Sequence, residues 1–415
     1  MAAETLDEVF REEWARLLAL LVAQFRRLDL AEDGLSEAFL AAAARWPGDG
    51  MPGNPAAWLL TAARWRIIDR LRAESTAARK EPLLVVDAQL EQWAQRVMAD
   101  PGAVPGDERL RLILLCAHPV LAPEAAAALT LRLVLGVPTA DIAAVFHVSA
   151  PTMAARLTRA KRTIHRSGAR FVVPEGAELP SRLETVCRVI YLAFTVGYAP
   201  VSGAEVTRVE VAAEAIRLAR LLRELLPGRP ELDALLALML LQHARRDARI
   251  DESGRLVLLP AQDRSSWHHD EITEGLALLK PMMSAQWSGT AAGYFLQALI
   301  AAEHALAARA EDTRWDRIAA HYAELERLTG SPVVRLNRAV AVAEAEGPAA
   351  GLRLLEGLED SLPRSHRLAA VRGALLADLG EQVLARQAYQ QALALCGNEV
   401  EAEHLRTRIS QLTEV

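Results

Sequence analysis

The sequence predicts an all-α protein. Three observations lead there: alanine, leucine and arginine dominate the periodic segments, apolar residues recur at three- and four-residue spacing, and alternating β-branched runs are nearly absent. At 415 residues, 52% hydrophobic and 24% charged, the chain has room for two or three domains, each with its own core. Leu83 to Val86 and Leu256 to Leu259 are the exceptions, each short enough to be a loop or a small strand.

The first block, residues 1–76, reads as helices near 6–27, 31–46 and 55–74, with a Pro/Gly-rich loop from Pro47 to Pro55 between the last two. Residues 77–106 lose this periodicity and carry Pro82, Pro101, Gly102, Pro105 and Gly106, the composition of a linker. From Glu81 to Glu108 six acidic residues face one basic residue, Arg96, so the tether is negatively charged.

Residues 107–172 form the next block, and 139–166 within it read as a short helix, a tight turn and a second helix. One helix ends near His147. Ser149 is placed to cap the next, which begins at Ala150, and Pro151 falls in the first turn, where a missing N–H does no harm. Ile142, Ala143 and Phe146, with Met153, Leu157, Ala160 and Ile164, form the expected buried seam of a helix-turn-helix. Between 150 and 170 stand Arg156, Arg159, Lys161, Arg162, Arg166 and Arg170, with no aspartate or glutamate. Such a helix suits a polyanion; the alternative is a solvated basic face on an ordinary helical pair.

Pro174, Gly176 and Pro180 mark a further boundary, and 173–415 is a long helical region. Small and aromatic or apolar residues recur there as Ala305 and Tyr322, Ala339 and Leu355, Gly373 and Tyr389. The spacings Tyr322 to Leu355 and Leu355 to Tyr389 are 33 and 34 residues, which approximates the tetratricopeptide period. A plain bundle of helical hairpins is the competing reading, because 181–300 shows little of this pattern.

The net charge of −6 argues against indiscriminate nucleic-acid binding, so any affinity for DNA comes from local patches. Residues 1–170 hold 21 Lys+Arg against 20 Asp+Glu, and 171–415 hold 26 against 33. Cys116, Cys187 and Cys396 are far apart and odd in number, which points to reduced thiols in the cytoplasm. The acidic N-terminus and the lack of a membrane-spanning apolar run agree with a cytoplasmic protein without membrane contact. His243, His268, His269, His304 and His321 are scattered, with no zinc motif and no phosphate-binding glycine loop. No metal, cofactor or catalytic residue is assigned, and the chain is expected not to be an enzyme.

Ala31-Glu32-Asp33-Gly34-Leu35-Ser36-Glu37-Ala38-Phe39-Leu40, followed by Ala57-Trp58-Leu59-Leu60-Thr61-Ala62-Ala63-Arg64 and Ile68-Asp69-Arg70-Leu71-Arg72, resembles region 2 of the extracytoplasmic-function (ECF) sigma factors. Asp107 through Arg170 resembles region 4 of the same family, in the expected order. Asp107 to Ile113, Cys116 to Pro119, Gln262-Asp263-Arg264-Ser265 and the run from Ser331 to Val342 look like the subgroup with a large C-terminal helical extension similar to tetratricopeptide repeats.

The resemblance implies a specificity subunit of RNA polymerase, with core polymerase and promoter DNA as partners. Asp33 and Glu37 fall where that family docks on polymerase. Asn54, Arg64, Trp65, Arg66, Arg70 and Arg72 fall where it handles the −10 element, with Trp65 the candidate to stack on an unpaired base. Asp69 is expected to stabilise its helix. For the −35 element, Thr152, Ala154, Ala155 and Thr158 (with Ala150) face bases, and Arg156, Arg159, Lys161 and Arg162 grip phosphates, Arg159 being best placed to reach a guanine. Residues 173–415 are expected to fold against the promoter-binding blocks and to restrain or assist them. Two rivals remain at this stage: an autonomous helix-turn-helix regulator with a helical sensor, and a scaffold whose basic helix is merely solvated.

Overall fold

A computed structural model describes residues 2–77, 107–146, 148–176, 178–198, 205–249, 251, 257–397 and 399–412. Every regular element among them is helical. The acidic tether lies almost wholly outside the described residues, as does the segment 83–86; of the second short exception, Leu259 opens a 3-10 turn, Leu259–Ala261. No helix among the described residues is long and apolar enough to cross a membrane.

The chain divides into two compact units, Met1–Val196 and Gly197–Val415. The first holds α1 (Ala2–Phe25), α2 (Leu28–Asp49), α3 (Pro55–Ala77), α4 (Asp107–Cys116), α5 (Pro123–Leu133), α6 (Thr139–Val145), α7 (Ala150–Ser167) and nearly all of α8 (Glu178–Tyr198). The expected boundary at 172/173 therefore moves to 196/197. Pro174 and Gly176 lie between α7 and α8, and Pro180 falls in the first turn of α8, but Arg182 of α8 donates to the Leu114 carbonyl at 2.7 Å and anchors that helix to α4.

In α2, Leu28, Ala31, Leu35, Ala38, Phe39 and Ala42 form one buried stripe at helical spacing. The helix runs on through Pro47 to Asp49, three residues past the predicted end. Pro47 sits in the last turn, where its missing N–H costs one bond and Gly50 N–H closes the helix on Trp46 O at 3.0 Å. The loop to α3 is correspondingly shorter.

The two blocks of this unit pack on each other. Phe10, Trp14 and Phe39 form an aromatic cluster with centroids 4.9 and 5.9 Å apart. Trp14 Nε1 donates to Leu133 O, at the end of α5, at 3.1 Å. Gly136 turns the chain toward α6 at φ +69, and a Cβ there would lie 2.7 Å from the Phe10 ring.

The second unit is a succession of helical hairpins: α9 (Glu205–Leu225), α10 (Pro230–His243), α11 (His269–Leu279), α12 (Gly289–Leu306), α13 (Trp315–Thr329), α14 (Pro332–Glu346), α15 (Pro348–Leu355), α16 (Leu358–Ser361), α17 (His366–Asp378), α18 (Gln382–Leu395) and α19 (Glu399–Gln411). Leu232 and the whole run from Ala234 to Leu241 of α10 are buried, as expected for a helix apolar on all sides.

Farther along, three apolar clusters follow one another. Ile300, Ile318 and Val342 anchor the first, Leu336, Ala339 and Leu355 the second, and Ala369, Tyr389 and Leu405 the third. Two of the small-to-large pairs read from the sequence meet in these clusters: Ala339 with Leu355, and Gly373 with Tyr389, whose ring would lie 3.0 Å from a Cβ at Gly373. Gly351 permits the closest approach, since a Cβ there would stand 2.6 Å from Ala339 O and 2.7 Å from Ala343 Cβ. Neither neighbour is a flexible side-chain end. Gly351→Ala is therefore expected to cost about 1–3 kcal/mol by overpacking, read from chemical denaturation of the full chain.

Candidate nucleic-acid interface

The local chemistry of α7 begins at Ser149, whose hydroxyl accepts Thr152 N–H at 3.3 Å with Pro151 in the first turn. Gly168 ends the helix in the left-handed region at φ 66. Met153, Leu157, Ala160 and Ile164 are its buried residues, joined by Ile142, Ala143 and Val145 of α6. Phe146 departs from the expected seam. It is half-buried, and the Arg156 guanidinium lies 5.9 Å from its ring centroid, so Val145 fills the inner position instead. His147 lies outside the described residues.

Burying that stripe exposes Thr152, Ala154, Ala155, Thr158, Arg159 and Arg162. Thr158 Oγ1 bonds back to Ala154 O at 2.9 Å. Arg159, Arg162 and Arg166 have no carboxylate partner among the described residues, which leaves this face positively charged.

Lys161 is the exception among the expected phosphate clamps. Its ammonium is 2.8 Å from one oxygen of Glu32 on α2, and Arg132 on α5 holds the other oxygen at 2.7 Å. Glu32 is only 7% exposed. Burial pushes its pKa up, but Lys161 and Arg132 together outweigh this and hold the carboxyl below its ordinary value. Lys161 is thus committed to a contact inside the unit. The sequence reading passed over Glu32, although its place between Ala31 and Leu35 on the apolar stripe was a usable signal.

Around α3 the expected polymerase-docking and DNA-gripping residues pair with one another. Arg70 contacts Asp33 at 2.7 Å and also Glu37, while Arg66 reaches the second oxygen of Glu37 at 3.1 Å. Neither set stands alone: the carboxylates neutralise the guanidinium groups across α2 and α3. The Asp33 hydrogen bond is the main reason the Arg70 pKa is raised.

Asn54 also has a structural task, because its Oδ1 accepts Ala57 N–H at 3.0 Å and caps α3. Arg72 lies 3.6 Å from Asp69 within the helix, and Arg64 is half-buried. Trp46 is buried and meets Trp58 edge-on at 5.5 Å. Trp65 stays 58% exposed, with Met51 on the preceding loop 50% exposed.

A cavity of about 900 Å³ opens between the α1–α2 turn and α7, lined by Arg26, Arg27, Arg162, His165, Arg166 and Arg170 among others. Arg26 adopts φ 54, a left-handed conformation unusual for a side chain of this kind, and lies 5.9 Å from the Phe171 ring centroid. Arg27 is paired with Asp29 and Glu74.

In the second unit, His268 Nε2 bonds Asp247 at 2.7 Å and His243 bonds Glu271 at 3.0 Å. His366, Cys396 and Glu401 bring their ligand atoms within 4.8 Å of one another, but His366 Nε2 already bonds Glu401 at 2.7 Å.

Comparison with known proteins agrees with the geometry of α4 to α7. Residues 111–164 match the family described as Sigma-70, region 4, and residues 182–283 match a family of unknown function, DUF6596. A 65-residue stretch, 16% of this chain and 33% of the other, is 42% identical to the ECF RNA polymerase sigma factor SigK of Mycobacterium ulcerans (strain Agy99). No solved structure matches. The uncharacterized protein R00370 of Rhizobium meliloti (strain 1021) is 42% identical over 398 residues, 95% of this chain and 93% of the other. The chain thus belongs to the family of that Rhizobium protein and carries, at residues 111–164, a match to sigma-70 region 4.

Proposed function

We propose that this protein is an RNA polymerase sigma factor of the ECF type, working in the cytoplasm with core polymerase and promoter DNA and performing no catalysis itself. The single observation that carries the reading is the exposed, carboxylate-free face of α7, set on a buried helix-turn-helix seam within a sigma-70 region 4 match. Its N-terminal half (Thr152, Ala154, Ala155, Thr158) offers methyl and hydroxyl contacts to base edges. Arg156, Arg159 and Arg162 supply cations for phosphates, with Arg159 facing the duplex most directly. Trp65, Arg64 and Arg72 are further −10 candidates, Trp65 the most exposed of them, whereas Arg66 and Arg70 must exchange Asp33 and Glu37 for DNA as those carboxylates turn to polymerase.

The two promoter elements are centred on the order of 85 Å apart along B-DNA, taking 3.4 Å per base pair. Glu32 binds Lys161 and Arg132 at under 3 Å. The arrangement with Glu32 in place is therefore a closed, DNA-free state, and engagement of both elements requires α2 and α7 to part. Residues 197–415, a tetratricopeptide-like domain on this reading, modulate that step.

Run-off transcription by core polymerase with and without the purified chain tests the proposal. Start-site selection that depends on the chain is the expected result, and its absence with folded protein overturns it. The exposure of Thr152, Ala155 and Arg159 without any opening favours the rival reading of an autonomous duplex-binding regulator. Retention of promoter DNA without polymerase, and no effect on start-site choice, would establish that rival.

A further inference from the structure

Two segments separated by some seventy residues converge on one cavity of the second unit. From the first, 257–267, come Leu258, Leu259, Pro260 and Arg264; from the second, 331–342, come Asn337, Val340 and Ala341. The cavity measures about 380 Å³, within the range of small-molecule sites. Its remaining wall includes His304, Trp315, Ile318 and Tyr322, with His304 and Trp315 meeting edge-on at 5.2 Å.

Arg264 gives this apolar space its polarity. Its Nη1 donates to the carbonyls of His304 and Ala307 at the end of α12, the latter at 2.9 Å, and its guanidinium stacks 4.7 Å above the Trp267 ring. The cation is thus fixed in place. No carboxylate among the described residues forms an ion pair with it, and its Nη2 and Nε make no hydrogen bond there.

Burial first, and then the nearby Arg245, depress the Arg264 pKa, with Asp312 acting weakly the other way. The same two influences, with Arg264 itself, lower His304 to about 4, so this ring is neutral at pH 7. Arg264 is thus the charged group among the buried and half-buried lining residues, while Glu344 stands exposed at the edge.

We propose that this cavity is a binding site for a small organic monoanion, a carboxylate with an aromatic or branched aliphatic body, whose charged end meets the free side of the Arg264 guanidinium. The body fills the space between Leu259, Trp315, Ile318 and Val340. Asn337 offers an amide to a further polar group, and Glu344 disfavours a second negative charge. A helical domain of this kind would then report a metabolite to the rest of the chain. The site stands whether or not the transcription reading does, since its test measures binding alone.

The test is titration of the full chain with 1-anilinonaphthalene-8-sulfonate, an aromatic monoanion that fluoresces when shielded from water, followed by competition with phenylacetate and with phenethylamine. Phenylacetate is expected to displace a saturable fraction of the signal and phenethylamine none. Val340→Trp, which fills the cavity from α14, is expected to abolish that displaceable fraction. Arg264→Gln is expected to weaken phenylacetate by about tenfold to a hundredfold, the range for losing a charge-assisted hydrogen bond. Circular dichroism verifies that each variant is folded. Displacement by the amine rather than the acid, or an unchanged displaceable fraction in folded Val340→Trp, would overturn the proposal.

Discussion

Glu32→Ala is expected to destabilise the unit formed by residues 1–196 by about 3–5 kcal/mol, the cost of breaking a buried ion pair from one side. The substitution leaves Arg132 and Lys161, with side chains 21% and 18% exposed, facing each other without their shared carboxylate. Denaturant unfolding of the full chain, followed through the tryptophans, measures the effect.

The pH dependence follows from the same triad. The folded-state carboxyl titrates below its ordinary value near 4.5, so its contribution is complete above the unfolded pKa. It is lost as acid carries the pH down through the folded pKa. Wild type should therefore lose stability more steeply than Glu32→Gln between about pH 5 and the acid limit. A parallel acid response in the two proteins would show that Lys161 and Arg132 do not hold the carboxylate.

Arg159→Ala and Arg162→Ala are expected to fail in different ways. Both side chains are exposed on α7 and lack carboxylate partners among the described residues, so neither removal disturbs an internal pair. Arg159 lies about two and a half turns into the helix, one turn beyond Ala155, and on the proposed reading its side chain reaches base edges. Losing it should cost about 1–3 kcal/mol and relax sequence preference at one position of the −35 element. Arg162 lies farther along, and on the proposed reading it meets phosphates. Its loss should weaken all sequences alike and reduce the slope of log affinity against log salt by about one. Binding of the polymerase complex to promoter variants at several salt concentrations separates the two outcomes. By contrast, Lys161→Ala should act chiefly on stability, since its ammonium is held by Glu32.

Much of the fold could be read locally. The helix-turn-helix was legible because its determinants are neighbours: Ser149 and Pro151 set the start of α7, and the three- and four-residue recurrence of Met153, Leu157, Ala160 and Ile164 set its buried face. What stayed illegible is a partner that comes from far away. Glu32 meets Arg132 and Lys161 across 100 and 129 residues, and no periodicity announces such a meeting. Asp33, Glu37, Arg66 and Arg70 were each placed on the correct helices, yet their mutual pairing depends on how α2 lies against α3. Asn54 shows the opposite case. A capping role just before Pro55 is local information that the family resemblance overshadowed.

The separation in chain position between Glu32 and Lys161 also has a consequence for synthesis. At roughly 5–20 residues per second, the ribosome needs on the order of ten seconds to make the 129 residues that divide them. For that interval the nascent chain exposes α2 with its acidic anchor unmet, before the recognition helix exists. Every newly made copy therefore passes through an unlatched youth, with the first block made before the helix that closes on Glu32.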